Sequence, residues 1–236
     1  MRYNSGFMAA VAGSLMLLVA GCALDRKRPA VASLAGKSGK SSNSSRAAPA
    51  ELPPKQAAEV CLATAQALEE NGYETEAILQ YEKARQHNPR ITGASRRLAV
   101  LYDRKNDFPH AVTEYQAAIK ANPKDADLLN DFGYFQYERG NLTESEQWLR
   151  RAIAINAKHE RAWGNLAMNL GEQGRFDESY DAFTKVVGPA EARSNVAVLM
   201  ARQGQSDQAK ESLRLALATD ADLKPAKVLQ ARLQSE

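Results

Sequence analysis

Two thiols and three imidazoles are the side chains of this chain best suited to attack, to ligate or to move protons: Cys22, Cys61, His87, His110 and His159. A metal or hydrolytic site needs such groups at ligand spacing with carboxylates beside them, and none of the five has that company in the sequence. No Gly-rich phosphate loop and no Ser-His-Asp signature occurs either. The sequence therefore predicts a non-enzyme with no cofactor and no metal. Cys61 lies in an apolar-periodic stretch and reads as a small apolar contact. Cys22 is different. It follows Val19-Ala20-Gly21 at the end of an uncharged, mostly apolar run from Phe7 to Ala20, with Arg2 supplying a positive charge ahead of the run. That run is shorter than the ~20 residues a helix needs to cross a bilayer, and its small-residue end reads as a signal-peptide cleavage site. An ordinary secreted protein cleaved there would leave Cys22 idle, and a retained membrane anchor is another option.

The rest of the chain is organised by a fixed offset. Four stretches starting at Ala58, Thr92, Ala126 and Glu160 superimpose at 34 residues. Apolar residues recur at helical spacing over the first fourteen positions of each, so each opens with an amphipathic helix. The fifteenth position is Gly72, Asn106, Gly140 and Gly174, the residue types that enter a left-handed turn most readily after a helix. A second helix follows, with Pro109 in its first turn in the second unit. Position 8 is small (Ala65, Ala99, Gly133, Ala167), as is position 20 (Ala77, Ala111, Ser145, Ser179), because a larger side chain would push crossing helices apart. Position 24 is large: Tyr81, Tyr115, Leu149 and Phe183. Val186 breaks the small-residue rule at position 27. Just beyond it Gly188 and Pro189 are expected to end the second helix early, so that a fifth unit starts at Ala190. Lys224 to Leu233 then reads as a capping helix with Val228, Leu229 and Leu233 on one side.

These residues resemble the tetratricopeptide repeat, whose period is 34. The resemblance implies an all-α, right-handed solenoid of antiparallel helix pairs. Its units are 58–91, 92–125, 126–159, a shortened 160–189 and 190–223, closed by the cap at 224–236. It also assigns the signature residues, with Tyr102, Trp148 and Trp163, to packing.

Val-Ala-Gly-Cys likewise resembles the bacterial lipobox, in which the Cys becomes the first mature residue and carries acyl chains. That implies a lipoprotein signal at 1–21, a lipidated Cys22 and, with Ala23 rather than Asp after the Cys, an outer-membrane anchor facing the periplasm in a Gram-negative cell. Residues 23–57 are rich in Ser, Ala, Pro, Lys and Arg and are expected to form a disordered linker. Its reach is about 30 Å if it behaves like a Gly/Ser chain. Seven basic residues there (Arg26, Lys27, Arg28, Lys37, Lys40, Arg46, Lys55) oppose Asp25 and Glu51, which more than accounts for the net charge of +3. The basic excess therefore sits beside the anchor, where anionic headgroups attract it, and no nucleic-acid partner is expected.

In the tetratricopeptide family the first helices of successive units line a groove that holds a peptide or a partner helix. Carried onto this sequence, groove positions fall on Arg96, Arg97 and Val100, then Asn130, Asp131, Tyr134 and Tyr137. The fourth unit adds Arg161, Asn165 and Met168, and the fifth Asn195 and Val198. Asn130, Asn165 and Asn195 form a series able to donate to and accept from a peptide backbone. The family's carboxylate clamp is not matched: its positions hold Leu62, Gln66, Arg97, Asp127 and Asp131, and two carboxylates there would repel the ligand. The expected function is a membrane-anchored scaffold for assembly of an envelope complex, such as a type IV or Tad pilus or its secretin. The alternative is a periplasmic adaptor or chaperone for peptidoglycan enzymes or outer-membrane proteins.

Overall fold

A computed structural model describes residues 52–91 and 93–234. The signal peptide, Cys22 and the linker up to residue 51 lie outside the described residues. Within them the chain is eleven helices in antiparallel pairs: α1 Pro54–Glu70 with α2 Glu74–His87, α3 Ala94–Arg104 with α4 Phe108–Ala121, and α5 Ala126–Glu138 with α6 Leu142–Ile155. The series continues with α7 Glu160–Glu172 and α8 Phe176–Phe183, α9 Pro189–Arg202 and α10 Ser206–Thr219, and ends with α11 Lys224–Gln234. No strand occurs among the described residues. The first helix starts at Pro54, four residues inside the stretch read as linker, because Pro is pre-shaped for a first helical turn.

Each first helix ends in the same way. Gly72, Asn106, Gly140, Gly174 and Gly204 all have positive φ, and the amides around them close back onto the helix, as Tyr73 N–H does on Leu68 C=O at 2.9 Å and Gly72 N–H on Glu69 C=O at 3.0 Å. That double closure satisfies carbonyls a helix end would otherwise leave open. Asn106, at φ 60°, shows the tolerance expected of Asn.

The pairs pack through the small residues. Ala65, Ala99, Ala167 and Ala197 at position 8, and Ala77, Ala111 and Ala209 at position 20, are completely buried. A Cβ added to Gly133 would lie 2.8 Å from Leu149 Cγ, which explains why position 8 is Gly where position 24 opposite is Leu. Between the second and third units Tyr115, Phe132, Phe135 and Trp148 form an aromatic cluster, with ring centroids 5.1 Å apart for Tyr115–Phe132 and for Phe132–Trp148. Phe108 and Phe135 enclose the Arg139 guanidinium, 3.6 and 3.8 Å from their ring centroids, while Asp103 accepts from it at 2.8 Å.

The fourth unit departs from the expectation in detail. Helix α8 has 8 residues, whereas α2, α4, α6 and α10 have 14 each. It stops at Phe183, ahead of Gly188-Pro189, and Pro189 is the first residue of α9. The correction follows from proline chemistry: a residue without an N–H fits a helix start, and it forces its predecessor, here Gly188 at ψ 161°, to be extended. Val186 therefore lies in a turn, half-buried against the Leu149–Phe183 cluster, where no two helix axes cross. At the far end α11 buries Ala226 and Leu233 against Leu213 and Ala209. Val228, expected on that face, is instead 71% exposed, so the contact stripe runs through Ala226, Leu229 and Leu233.

Candidate partner-binding groove

The side chains assigned to the groove lie on α3, α5, α7 and α9, the first helices of successive pairs, and the polar ones bind one another across unit boundaries. Arg96 reaches from α3 to Asp131 on α5 at 2.7 Å and to Asp125 at 3.6 Å. Burial draws the Arg96 guanidinium down, but the hydrogen bond and charge of Asp131 outweigh it and hold its pKa above the ordinary value. Arg97 pairs back to Glu69 of α1, whose carboxylate also accepts from the Tyr81 hydroxyl at 2.9 Å. Burial and the Glu69 carboxylate push Tyr81 up to about 12. Asp127 takes Arg161 at 2.5 Å and His159 Nε2 at 3.2 Å. The Arg161 hydrogen bond, above all, holds Asp127 below the usual carboxylate range.

The asparagine series is engaged in the same way. Asn130 is 2% exposed; its Oδ1 accepts from Asn165 Nδ2 at 2.9 Å and its own Nδ2 donates to Asp131 at 3.3 Å. The series expected to face a peptide backbone is thus turned inward at its first member, because a ring of neighbouring donors and acceptors was nearer than solvent. Asn195 is half-buried on α9.

Position 9 of successive units is apolar, holding Val100, Tyr134, Met168 and Val198: Tyr134 is 42% exposed, Val100 and Met168 are half-buried and packed against the core clusters, and Val198 is half-buried. Tyr137 stacks on Tyr134 with ring centroids 6.1 Å apart and an interplanar angle of 28°. Burial, then the nearby Glu138 carboxylate, raises Tyr134 to about 12; burial, then Glu172, does the same for Tyr137. Both phenols are therefore neutral at any physiological pH. Beside this row Gly164 faces open space, with nothing within 4 Å of where its Cβ would be.

Residue types alone did not reveal the pairing network. Its signal was present as opposite charges 28 to 36 residues apart, as in Glu69/Arg97, Arg96/Asp131 and Asp103/Arg139, separations near one repeat length. The residues with nucleophilic or ligating chemistry are dispersed. His110 lies by Asp107 and stacks on Tyr102, His159 caps α7 by accepting from Ala162 N–H at 3.1 Å, and Cys61 is a free, half-buried thiol. Among the described residues no group of three or more His, Cys, Asp or Glu side chains could hold a metal ion, and no helix is long and apolar enough to cross a membrane.

Comparison with known proteins agrees with this architecture. The Tetratricopeptide repeat family profile matches residues 96–164. The general transcriptional corepressor trfA of Dictyostelium discoideum is 24% identical over 118 residues, 49% of this chain and 8% of its own length. The chain spans a tenth or less of the curated relatives it matches. Among solved structures, YrrB, described as a TPR protein with an unusual peptide-binding site, superimposes with a TM-score of 0.58 at 22% identity over 72% of this chain and 90% of its own. PilW, described as a widely conserved type IV pilus biogenesis factor, gives a TM-score of 0.58 at 19% identity over 75% of this chain and 89% of its own. These are likenesses of fold.

Proposed function

We propose that this chain, whose residues 96–164 match the Tetratricopeptide repeat profile, is a protein-interaction scaffold that acts without catalysis, held at a bacterial envelope membrane by an acylated Cys22, and receives a protein partner in its first-helix groove during assembly of an envelope complex. One observation carries the reading: on a face where charged side chains are paired with one another, the Tyr134 ring, stacked on Tyr137, is left 42% exposed. Apolar surface left open in a groove favours association once a complementary surface displaces its water. The peptide-binding site ascribed to YrrB supports use of the groove. The likeness to PilW favours a type IV or Tad pilus, or its secretin, as the complex. Val19-Ala20-Gly21-Cys22 supports the anchor, and Ala23 an outer-membrane location facing the periplasm. The basic linker would hold the groove within about 30 Å of the headgroups.

Two measurements test this. Palmitate labelling with and without globomycin reads the anchor: label on wild type, lost in Cys22→Ser and blocked at processing by the drug, is the expected result, and an unlabelled wild type removes the anchor. A photo-crosslinking residue at position 134 in intact cells reads the partner. Capture of a pilus or secretin component is expected; capture of a murein hydrolase or an outer-membrane protein would replace the pilus reading with that of an adaptor or chaperone.

A further inference from the structure

Resting on the anchored reading above, we infer that the edge of the solenoid at which the chain enters α1 lies on anionic lipid headgroups, through a row of unpaired cations formed by Lys55, Arg90, Lys124 and Lys158.

The edge follows from topology. In a stack of antiparallel pairs every turn inside a pair falls at one edge and every junction between pairs at the other, and the chain enters α1 at Pro54 on the junction edge. Lys55 lies in the first turn of α1, and Arg90, Lys124 and Lys158 lie in the junctions ahead of α3, α5 and α7. Each of the first four pairs therefore presents one cation there, about a repeat length from the next. Lys120 in the last turn of α4 and Lys185 in the junction before α9 extend the row. All six side chains are exposed, and among the described residues none of them is engaged in an ion pair or a hydrogen bond.

The opposite edge is built the other way. Its arginines are matched, Arg104 with Glu74, Arg139 with Asp103 and Arg175 with Glu146, while Glu70, Glu138 and Asp177 are exposed. At the junction edge Asp125 and Glu160 lie beside the row. Asp125 is taken by Leu128 N–H at 3.0 Å and by Arg96 at 3.6 Å, and Glu160 is exposed. After α10 the row ends: Asp220 and Asp222 occupy that junction, with Asp222 on Lys227 at 3.1 Å. The cations are thus gathered toward the chain's point of entry. Outside the linker the chain carries more Asp and Glu than Lys and Arg, so a negative plane attracts it by this edge and repels the other.

Two properties select a headgroup layer over an acidic protein. Protein interfaces are depleted of lysine and built round aromatic or Arg anchors in pockets, whereas every cation of the row except Arg90 is a lysine, and all are exposed. A layer of anionic lipids holds its charge as a continuous surface potential, which flexible ammonium groups satisfy without a fixed partner. Apolar side chains agree. Leu52, just ahead of Pro53, is 52% exposed, and Ile155, the last residue of α6, is 44% exposed, both at this edge and placed to enter the headgroup boundary. Seated this way, the helix axes stand off the membrane and the acidic turn edge points away from it.

The test uses the mature chain, residues 22–236, made with Cys22→Ser so that no acyl chain holds it. Vesicles contain equal parts of phosphatidylcholine and phosphatidylglycerol, or phosphatidylcholine alone. The chain should sediment with the anionic vesicles and not with the neutral ones. Arg90→Glu, Lys124→Glu and Lys158→Glu together should lower that binding by about tenfold or more, whereas Lys83→Glu, Lys105→Glu and Lys210→Glu, the same charge change off the row, should leave most of it. In a Cys61→Ala background, a nitroxide at position 121 should be shielded from an aqueous relaxation agent on anionic vesicles and one at position 138 should not. Equal binding by the two triple variants, or equal shielding at 121 and 138, overturns the edge. Binding of the unsubstituted row to soluble polyglutamate as tightly as to the vesicles makes an acidic protein the partner and overturns the lipid. None of these outcomes depends on acylation, so an unlabelled Cys22 in the palmitate experiment removes the anchor on separate grounds.

Discussion

The first helices of the first two units and those of the last three differ in the side chains they present at the positions assigned to the groove. In the first two, Glu69 on α1 holds Arg97 and the Tyr81 hydroxyl, and Arg104 reaches Glu74 at 3.1 Å, so the face is cross-linked by charge. In the last three, positions 9 and 12 carry Tyr134, Tyr137, Met168 and Val198, and a gap sits at Gly164. Arg96–Asp131 spans the boundary between the two, and within the last three units Asp127–Arg161 and Glu172–Arg202 also pair across units. A solenoid of nearly identical helix pairs can thus differ in side-chain chemistry along one face without any change of backbone.

The sharpest way to break the comparison is at Glu69, whose side chain is 6% exposed. Glu69→Ala strands Arg97 and Tyr81 together and should cost about 1.5–3 kcal/mol in urea unfolding, with capture of the partner unchanged. Tyr134→Asp should do the reverse: capture falls at least tenfold, about 1.4 kcal/mol, while unfolding moves by no more than about 0.5 kcal/mol. If Glu69→Ala abolished capture while the helices stayed intact, the division of labour would be wrong.

A finer comparison lies at position 20, where both units with Ser bury it fully. Ser179 Oγ donates to Ala167 C=O at 2.7 Å, whereas Ser145 Oγ is buried with no partner. Ser179→Ala should lose about 1 kcal/mol. Ser145→Ala should be neutral or stabilising, because it removes a desolvated hydroxyl that gains nothing.

The smallest effect concerns pH. Asp127 is held below its ordinary pKa, chiefly by the Arg161 hydrogen bond and further by the charges of Arg161 and His159. A depressed carboxylate contributes stability that is present above its unfolded pKa of about 3.9 and lost as pH falls through its folded value. The junction of the third and fourth units should therefore loosen below about pH 4, and Asp127→Asn should flatten that part of the acid-unfolding curve. With the Asp127 side chain 56% exposed, solvent screening limits the difference to a few tenths of a kcal/mol.

Most of the fold was legible along the chain because the features that specify it are local. A left-handed turn needs Gly or Asn wherever it occurs, and a helix crossing needs a small side chain at the crossing, so Gly72, Asn106, Ala65 and Ala99 announce their roles in any context. Pro189 and Val228 were misplaced for the complementary reason. A proline both ends one element and starts the next, and an apolar side chain on a short terminal helix has a face only once its neighbour is in place.

The groove was legible as a set of positions and not as a surface. Arg96 and Asn130 stand at position 5 of their units, Arg97 at position 6 and Tyr134 at position 9; the first three bond side chains of neighbouring units, whereas the Tyr134 ring is left exposed. By itself the amino-acid sequence determined the period, the turns and the helix pairs, all consequences of backbone geometry within one unit. Only the tertiary structure decided which of those residues are consumed, because that depends on how each unit is set against the next. Partners about one repeat length apart meet, or fail to meet, according to the stacking of whole helices.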